Sequence, residues 1–277
     1  EFPTQVFSTP ISEAAITGIS TGLTLKNHNV ILEIMFGDFL TLTSDQIING
    51  ISKFLDLGDH RFGKYLIRCP MGAYRGYGAT HSQSLESIFL NVPNLNIYSP
   101  NIFSDPYNLL DKILRKNNFS LFVEHKISYP KELVKNKYNN FDLIIDDNDE
   151  FTKIKIFDKE SKFTILTYGY CTEMAVNAIQ KIFLKHEIVG EVIAFKKLKN
   201  LSNNFLEVIE SRKIYTLEEG AAEAGWGKYI SNNIYNKFYN NLDKKIEIIG
   251  SKNQSIPSSK ELEKDHLPSE ENLQKII

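Results

Sequence analysis

The sequence predicts an α/β protein with two domains, each built around a mostly parallel sheet that helices cover. Strand-length apolar runs alternate with segments of helical periodicity over residues 12–125, and the alternation restarts near Phe163. Between them lies a stretch with Pro130, many Lys and Asn residues, and an acidic run over 146–150. The predicted units are a first domain over 1–126, an interdomain linker over 127–161 and a second domain over 162–277.

In the first domain, the spacing of apolar residues marks each element. A helix begins after Ser12, a residue type that caps helix N-termini, and ends near Lys26. Three further helices are predicted over 44–55, 82–90 and 105–116, and strands over 30–36, 65–68, 95–98 and 121–125. The first strand is apolar on both faces, which is typical of a strand covered from both sides. Glu33 within that strand would then either assist a functional site or form structural hydrogen bonds as a buried residue.

The second domain repeats the same pattern of alternating strands and helices. Its strands are predicted over 164–168, 191–195, 213–217 and 245–249, and its helices over 172–185, 203–211 and 226–238. From Ile256 onward the tail reads as a loop followed by a short terminal helix. Arg68, Arg75 and the charged run over 196–199 could bind anions, but the run is interpreted as a solvated face, because most charge runs are solvated.

Composition excludes several classes of protein. Lys and Arg number 32 against 34 Asp and Glu, which gives a net charge of -2 and no general basic surface for nucleic acid or anionic lipid. Cys69 and Cys171 lie far apart without metal-ligand spacing, so we expect no disulfide framework or zinc site and a reducing compartment. Apolar runs fall well short of the ~20 residues that span a bilayer, so no membrane span is predicted.

Candidate site residues lie at loops and helix starts. The Gly-rich loop over 72–81 matches no phosphate-binding fingerprint, so a self-contained nucleotide site is not expected. His81 ends this loop, where it could be a loop hydrogen bonder or a catalyst. Glu13 could equally be a first-turn acid that the helix dipole favours. Glu218 and Glu219 follow a predicted strand, at the edge where parallel sheets place their sites.

Several collinear stretches together resemble one family. They are Thr9-Pro10-Ile11-Ser12-Glu13, Glu33-Ile34-Met35-Phe36-Gly37-Asp38-Phe39, Arg75-Gly76-Tyr77-Gly78-Ala79-Thr80-His81-Ser82-Gln83, Leu217-Glu218-Glu219-Gly220 and Gly225-Trp226-Gly227. This set resembles the β subunit of the thiamin-diphosphate-dependent decarboxylase component of 2-oxo acid dehydrogenase complexes. The resemblance implies a transketolase-like pyrimidine-binding domain followed by a transketolase C-terminal domain, and it covers nearly the whole chain.

The resemblance also implies roles for matching positions. Glu13 takes the place of the acid that hydrogen-bonds the far pyrimidine nitrogen of thiamin diphosphate. Ile11 and Phe39 match residues that hold the aminopyrimidine, and Leu42 stands beside the cofactor where some pyruvate-specific relatives carry Gln. His81 matches the active-site histidine, which is expected to orient or protonate intermediates as the acyl group moves to lipoamide. We therefore expect Glu13 and His81 to be catalytic, and Ile11, Glu13, Phe39 and Leu42 to bind the cofactor.

Some positions depart from the family pattern. Lys116 stands where the family often has an Asp that binds potassium, so we expect its ammonium to replace the ion. The family holds the diphosphate and Mg²⁺ on a Gly-Asp-Gly element and a distant Asn pair, which neither 37–39 nor 58–60 matches. We therefore expect no metal ligands in this chain, and a half-site that an α subunit completes in an α2β2 heterotetramer. Relatives begin earlier, so the N-terminus is interpreted as truncated.

The resulting functional prediction is decarboxylation of a 2-oxo acid, of the pyruvate or branched-chain type, with acyl transfer to the lipoyl group of an acyltransferase. Two alternatives stay open. The half-site could serve a transketolase-like or acyloin-forming carboligase, or the chain could be a non-catalytic assembly subunit, as the changes at Leu42 and Lys116 suggest. The predicted location is the cytoplasm or an organelle matrix or stroma.

Overall fold

The computed structural model describes residues 2–57, 62–116 and 119–276. It contains two principal sheets, as the sequence predicts. The first is a parallel sheet in the order β1-β2-β4-β3. Its strands are β1 (Val30–Glu33), β2 (Tyr65–Met71), β3 (Asn96–Tyr98) and β4 (Phe119–His125). Parallel strands place all their carboxyl ends at one edge of the sheet, so the loops after β1 and β2 are neighbours.

Helices of the first domain surround that sheet. They are α1 (Glu13–Leu25), α2 (Gly37–Leu40), a π-helix (Gln46–Ile51), α3 (Ser52–Phe54) and α4 (Pro106–Lys116). Ser12 does precede the first residue of α1, but its side chain forms no capping hydrogen bond. Helix α1 packs against β1 and against the 3-10 turn Thr41–Thr43 that follows α2. This packing brings the start of α1 to the same side of the domain as the loop after β1.

The second sheet has the order β12-β11-β9-β10-β8-β7. Four of its strands are parallel, namely β9 (Phe163–Tyr168), β10 (Gly190–Phe195), β11 (Ile214–Ala221) and β12 (Glu247–Ser251). Two antiparallel strands, β7 (Ile144–Asp147) and β8 (Phe151–Lys155), extend the sheet beyond β10. These two strands lie inside the segment 127–161 that was expected to link the domains. The small hairpin β5 (Lys137–Tyr138) and β6 (Phe141–Asp142) precedes them.

Five helices accompany the second sheet. They are α5 (Cys171–His186), α6 (Phe205–Val208), α7 (Trp226–Phe238), α8 (Lys260–His266) and α9 (Glu270–Ile276). Two helices, α8 and α9, therefore stand where one terminal helix was expected. Residues of this terminal segment form hydrogen bonds with the Gly-rich loop of the first domain. Glu263 of α8 accepts a hydrogen bond from the Gly76 amide at 2.9 Å, and the Tyr74 hydroxyl donates to the Pro268 carbonyl at 2.8 Å.

One apolar core runs through both domains. It joins Phe89 and Ile97 of the first domain with Phe195 and Trp226 of the second. The Leu198 amide also donates a hydrogen bond to the Ile97 carbonyl at 2.8 Å, so backbone bonding crosses the same boundary. This shared core fixes the first-domain loops relative to the second sheet.

Three predicted helices are shorter or of another type than expected. The segment 82–90 forms only the 3-10 turn Glu86–Phe89, because Gln83 and Ser84 direct their side chains to distant acids instead of into a helix. In 44–55, the π-helix and α3 take the place of the single α-helix that was expected. Gly50 in the π-helix has non-helical backbone dihedral angles. In 203–211 the helix is reduced to α6, since the backbone is already extended at the β-branched Ile209.

Two expectations about charged residues were wrong. Glu33 is not covered on both sides, because β1 is an edge strand of the described sheet; its side chain is 61% exposed and lies 3.5 Å from Arg68. The run over 196–199 is not a solvated face either. Lys196 and Lys199 are buried, and Lys196 pairs with Asp147 at 2.7 Å. Both errors arise because charge patterning alone does not reveal which strands lie at an edge or which cations find partners.

Candidate functional site

His81 lies in a cluster of aromatic rings at the carboxyl edge of the first sheet. Its ring centre is 4.7 Å from that of Phe36 and 5.4 Å from that of Phe39, both edge to face. Phe36 and Phe39 follow β1, and His81 follows β2. The sequence-predicted pair of Phe39 and His81 is therefore brought together, at the strand ends where α/β sheets bind ligands.

The loop that carries His81 has a backbone that depends on glycine. Gly72, Gly76 and Gly78 have φ values of +102°, +71° and +71°, which side chains of L-residues rarely adopt. A Cβ atom at Gly72 would also lie 2.1 Å from Nε2 of His125. The tight turn at Gly72 therefore allows the loop to pass over His125 before it reaches His81.

Side chains hold both ends of the loop. Nη2 of Arg75 donates to the Gly72 carbonyl at 3.0 Å and to the His81 carbonyl at 3.1 Å. Nε2 of Gln83 donates to Oδ1 of Asp38 in α2 at 2.7 Å. These bonds connect the loop after β2 with the helix after β1, so they fix the position of the imidazole next to Phe39.

The two nitrogens of His81 have different surroundings. Nδ1 lies 2.8 Å from Oγ1 of Thr80, so one of these two groups donates to the other. Among the described residues, no hydrogen bond reaches Nε2. When the Thr80 hydroxyl donates, the neutral ring carries its proton on Nε2, which is the nitrogen free to face a ligand.

Glu13 is the first residue of α1 and is half-buried. Within the described part of the chain its carboxylate receives no hydrogen bond, and only its backbone carbonyl is used, by the Thr17 hydroxyl at 2.6 Å. Ile11 and Leu42 are 85% and 57% exposed. Ile11 and Leu42 thus lie at the surface and Glu13 partly so, and within the described residues no hydrogen bond joins any of the three to Phe39 or His81.

A second polar cluster, which spans the two domains, lies beneath this surface. Nε2 of His125 is 2.8 Å from Oε2 of Glu219, and the Ala73 amide and the Ser84 hydroxyl donate to Oε1 of Glu219 at 2.6 and 2.9 Å. Burial alone would raise the pKa of Glu219, but His125 and these hydrogen bonds overcome that effect and lower it. The cluster therefore ties β11 to the loop that leads to His81.

Sequence reasoning singled out Glu219 but missed His125. A signal was available, because His125 is the last residue of a buried strand and Gly72 follows the neighbouring one. His125 also stacks on Tyr170, the residue before α5, with the ring centres 4.6 Å apart. The spacing of residues along the sequence does not indicate this contact. Non-local pairs of this kind become visible only once the two sheets are placed together.

Glu218 caps a helix from inside the second domain. Its carboxylate accepts hydrogen bonds from the amides of Trp226 and Gly227, both at 2.7 Å, at the start of α7. A Cβ atom at Gly225 would lie 2.2 Å from this carboxylate, which explains the glycine there. Burial is the main cause that raises the pKa of Glu218 to about 8, against the two hydrogen bonds that lower it.

No group of three or more His, Cys, Asp or Glu residues suited to a metal ion occurs in the described residues. The segment 58–60, considered as a diphosphate element, lies outside them. Lys116 pairs with Asp149 at 2.7 Å, and its side chain is 65% exposed. The idea that this ammonium replaces a potassium ion stays a prediction. A search of the described residues for helices able to cross a membrane found none.

Comparison with known proteins identifies two domain families along the chain. Residues 1–132 match the model of the transketolase pyrimidine binding domain, and residues 152–273 match that of the transketolase C-terminal domain. Together the two matches span most of the sequence, in the order the sequence resemblance predicted.

Individual relatives agree with these matches. The chain is 28% identical over 279 residues to the pyruvate dehydrogenase E1 component subunit beta of Rickettsia bellii, covering 97% of this chain and 81% of the relative. It is 27% identical over 270 residues to the acetoin:2,6-dichlorophenolindophenol oxidoreductase subunit beta of Cupriavidus necator, covering 96% and 77%. A solved structure titled "Split gene transketolase, inactive beta4 tetramer" superposes with a TM-score of 0.70 at 13% identity, covering 99% of this chain and 83% of that one, which supports the fold.

Proposed function

Because this chain belongs to the transketolase family, with a pyrimidine-binding domain followed by a transketolase C-terminal domain, we propose that it is the β subunit of a thiamin-diphosphate-dependent 2-oxo acid dehydrogenase. The reaction would be decarboxylation of a 2-oxo acid, of the pyruvate or branched-chain type, with transfer of the acyl group to lipoamide. The observation that carries the proposal is the position of Phe39 and His81 at the carboxyl edge of the first sheet. The centres of their two rings lie 5.4 Å apart.

The side chains of Ile11, Glu13, Phe39 and Leu42 are of the kinds that would hold the pyrimidine end of thiamin diphosphate. Exposed Ile11 and Leu42 and half-buried Phe39 offer apolar contact to a flat ring. The carboxyl of Glu13 has no partner in the described structure, so it is free to bond a ring nitrogen. The cofactor, when bound, supplies a carbon nucleophile that stores the electrons released by decarboxylation. Glu13 would hold the proton that it shares with the pyrimidine ring.

His81 would act on the substrate side of the same site. Thr80 engages Nδ1, so Nε2 is the atom that would hold or deliver a proton. Phe36 and Phe39 pack edge-on against the imidazole and restrict its rotation. Their rings also exclude water from one side of the imidazole, which strengthens any hydrogen bond that Nε2 forms with a ligand.

The diphosphate end of the cofactor is the part that we assign to a second chain. The described residues hold no group of three or more His, Cys, Asp or Glu side chains suited to a metal ion, and Ile11 and Leu42 are apolar side chains left exposed, as interface residues are before a partner binds. We propose that an α subunit supplies the diphosphate and Mg²⁺ site within an α2β2 heterotetramer, and that a lipoyl-bearing acyltransferase accepts the acyl group. The compartment proposed is the cytoplasm or an organelle matrix or stroma.

The first experiment is an affinity purification of the full-length chain from its native cell. Mass spectrometry identifies any stoichiometric partner, and the eluate is assayed for thiamin diphosphate and for decarboxylation of pyruvate and of branched-chain 2-oxo acids. We expect a partner with a diphosphate-binding element, retained cofactor, and acyl transfer that requires an added lipoyl domain.

Assays on the same purified assembly distinguish the proposed dehydrogenase from the two alternative functions. Carbon–carbon bond formation with an aldehyde acceptor, and no requirement for a lipoyl domain, would favour a carboligase. A partner-free assembly without cofactor or decarboxylase activity would contradict both enzymes and favour an assembly subunit.

A further inference from the structure

One carboxylate of the second domain binds both ends of the loop that carries His81. Oε1 of Glu219 accepts a hydrogen bond from the Ala73 amide at 2.6 Å and another from the Ser84 hydroxyl at 2.9 Å. Ala73 lies at the start of the Gly-rich loop after β2, and Ser84 lies just beyond His81. A single oxygen atom therefore joins the chain before His81 to the chain after it.

The three groups that bind this carboxylate are hydrogen-bond donors. The Ile127 amide donates to Nδ1 of His125 at 3.3 Å, so the proton of the neutral ring is on Nε2, which donates to Oε2 of Glu219 at 2.8 Å. The Ala73 amide and the Ser84 hydroxyl are the other two donors. An ionised carboxylate accepts all three hydrogen bonds, whereas a protonated one would place its own proton against one of these donors.

The second domain holds Glu219 in a fixed place. Strand β11 pairs with β9 on one side and β12 on the other, and the Ser251 hydroxyl donates a hydrogen bond to the Glu219 carbonyl. The register between β11 and β12 shifts between Leu217 and Ala221, and irregularities of this kind re-aim side chains. The neighbouring Glu218 binds the start of α7, so Glu219 is directed at the first domain.

The loop has little freedom to move independently of this contact. A Cβ atom at Gly72 would lie 2.1 Å from Nε2 of His125, so the backbone passes directly over the His125 and Glu219 pair. Nη2 of Arg75 binds the carbonyls of both Gly72 and His81. A displacement of Glu219 would therefore reach His81 through hydrogen bonds and close contacts.

Stability alone is a poor explanation for this acid. A carboxylate withdrawn from water costs free energy, and Glu219 is only 7% exposed. Apolar side chains of similar volume often replace buried charged groups without loss of stability. What this side chain adds is direction, because a fully bonded polar network holds the two ends of the loop in a single geometry.

We propose that Glu219 is a positioning residue for His81. It acts through the loop and not by contact with cofactor or substrate, and its hydrogen bonds to Ala73 and Ser84 hold the imidazole so that Nε2 faces the reacting group. This inference rests on the proposed function and concerns the acyl-transfer step assigned to His81. Because a small misplacement of a catalytic group lowers the rate and leaves substrate contacts in place, loss of these hydrogen bonds should lower kcat and leave KM unchanged.

The test measures acyl transfer to a lipoyl domain by the native assembly. Ser84→Ala removes one hydroxyl, and we expect kcat to fall about tenfold with KM unchanged, since one charge-assisted hydrogen bond holds the far end of the loop. Ser84→Thr keeps a hydroxyl and should retain most of the rate. Ser202→Ala is the matched control, because its hydroxyl donates to the carboxylate of Glu150 at 2.6 Å, outside the loop. This control should leave kcat unchanged.

A double-mutant cycle with His81→Ala separates positioning from a general loss of structure. If Glu219 and Ser84 act through His81, Ser84→Ala should cause no further fall in the rate of His81→Ala. An equal fall in both backgrounds would overturn the proposal, and so would an unchanged kcat in Ser84→Ala alone. Glu219→Ala should lower kcat at least as far, and Glu219→Gln, whose amide oxygen accepts hydrogen bonds from Ala73 and Ser84, should restore part of the rate.

Hydrogen–deuterium exchange of residues 72–85 gives a readout that needs no activity. In Ser84→Ala the amides of this segment should exchange faster than in the wild type, whereas Ser202→Ala should leave them unchanged. Faster exchange in an assembly that decarboxylates no 2-oxo acid would support the anchoring of the loop by Glu219 and contradict the dehydrogenase. Acyl transfer at the wild-type rate in Ser84→Ala would support the dehydrogenase and contradict the role of Glu219.

Discussion

The central strands of the second sheet and the edge strand of the first are buried to very different extents. Every residue of β9 and β10 is buried. In β1 only Leu32 is fully buried, and Ile31 is 56% exposed. An apolar strand whose side chains face solvent is typical of a surface that another molecule covers. The central strands of the second sheet are covered within this chain, whereas the edge strand of the first sheet leaves apolar side chains exposed.

Two acids, Glu218 and Glu13, differ in a similar way, although buried polar atoms without a hydrogen-bond partner occur in both domains. In the second domain, Glu218 is fully buried and both of its carboxylate oxygens accept backbone hydrogen bonds. In the first domain, the carboxylate of Glu13 is half-buried and accepts no hydrogen bond from the described residues. A satisfied buried group stabilises a fold, whereas an acid without a partner keeps hydrogen-bonding capacity for a ligand.

The largest effect is expected from Glu13→Gln in the native assembly. The amide keeps the shape of the side chain but cannot share the carboxyl proton, so turnover should fall by about 10²–10⁴-fold. Proton exchange at the thiazolium carbon of bound cofactor should slow in parallel, while the mass of the assembly stays the same. Glu261→Gln, at an acid that is 82% exposed on α8, is the matched control and should keep full activity. Loss of assembly with normal proton exchange would contradict the role of Glu13.

Removal of a large core side chain tests whether the second domain stabilises the whole chain. Trp226 is fully buried, packs against Tyr168 and Phe195 at 5.0 and 5.2 Å, and donates from Nε1 to the Leu198 carbonyl at 3.0 Å. Trp226→Ala should lower the free energy of unfolding by about 3–5 kcal/mol in urea titrations. Tyr239→Ala, at a residue that is 75% exposed, should change it by less than about 0.5 kcal/mol. An equal loss of unfolding free energy in both variants would contradict a stabilising role of the buried core around Trp226.

The pH dependence of stability reports on Glu218. In the folded chain the pKa of Glu218 is raised to about 8, whereas the ordinary pKa of an exposed Glu is 4.5. Between these values only the folded state binds the proton, so the free energy of unfolding falls as pH rises, by about 1.4 kcal/mol per pH unit. Glu218→Gln should remove that slope between pH 5 and 8, and Glu223→Gln, at an exposed acid, should retain it. An unchanged slope in Glu218→Gln would show that Glu218 is ionised when folded.

The smallest effect is expected at Lys116. Hydrogen bonds from Lys112 and Lys116 lower the pKa of Asp149 to about 2. Because these groups are exposed, Lys116→Met should cost less than about 0.5 kcal/mol and should raise the pKa of Asp149 in an NMR titration. If the ammonium replaces a cation, the wild-type unfolding midpoint should be the same in potassium and in sodium. A midpoint that rises specifically with potassium would refute the replacement.

The sequence was sufficient for the fold class, and it drew attention to two residues that lie together in the structure. Strand-length apolar runs predicted β2, β4, β9, β10, β11 and β12, because buried parallel strands have a clear pattern. It also singled out Phe39 and His81, whose ring centres lie 5.4 Å apart at one sheet edge, and their roles stay predictions. Both follow parallel strands, and topology brings such positions together.

Other features depend on contacts between distant residues. The segment 82–90 lost its helix because Gln83 and Ser84 bond to Asp38 and Glu219, which local periodicity does not reveal. The exposure of Glu33 depends on strand order, and so does the pairing of β7 and β8 with β10. The His125 and Glu219 pair joins two domains, so neither residue indicates the other along the chain.

We propose above that this chain holds only the pyrimidine half of a cofactor site. Equilibrium dialysis of thiamin diphosphate with Mg²⁺, performed on the isolated chain and on the assembly purified from the native cell, tests it directly. We expect the assembly to retain about one cofactor per copy of this chain and the isolated chain to retain none. Stoichiometric, magnesium-dependent binding by the isolated chain, or a native assembly that binds no cofactor, would contradict the claim.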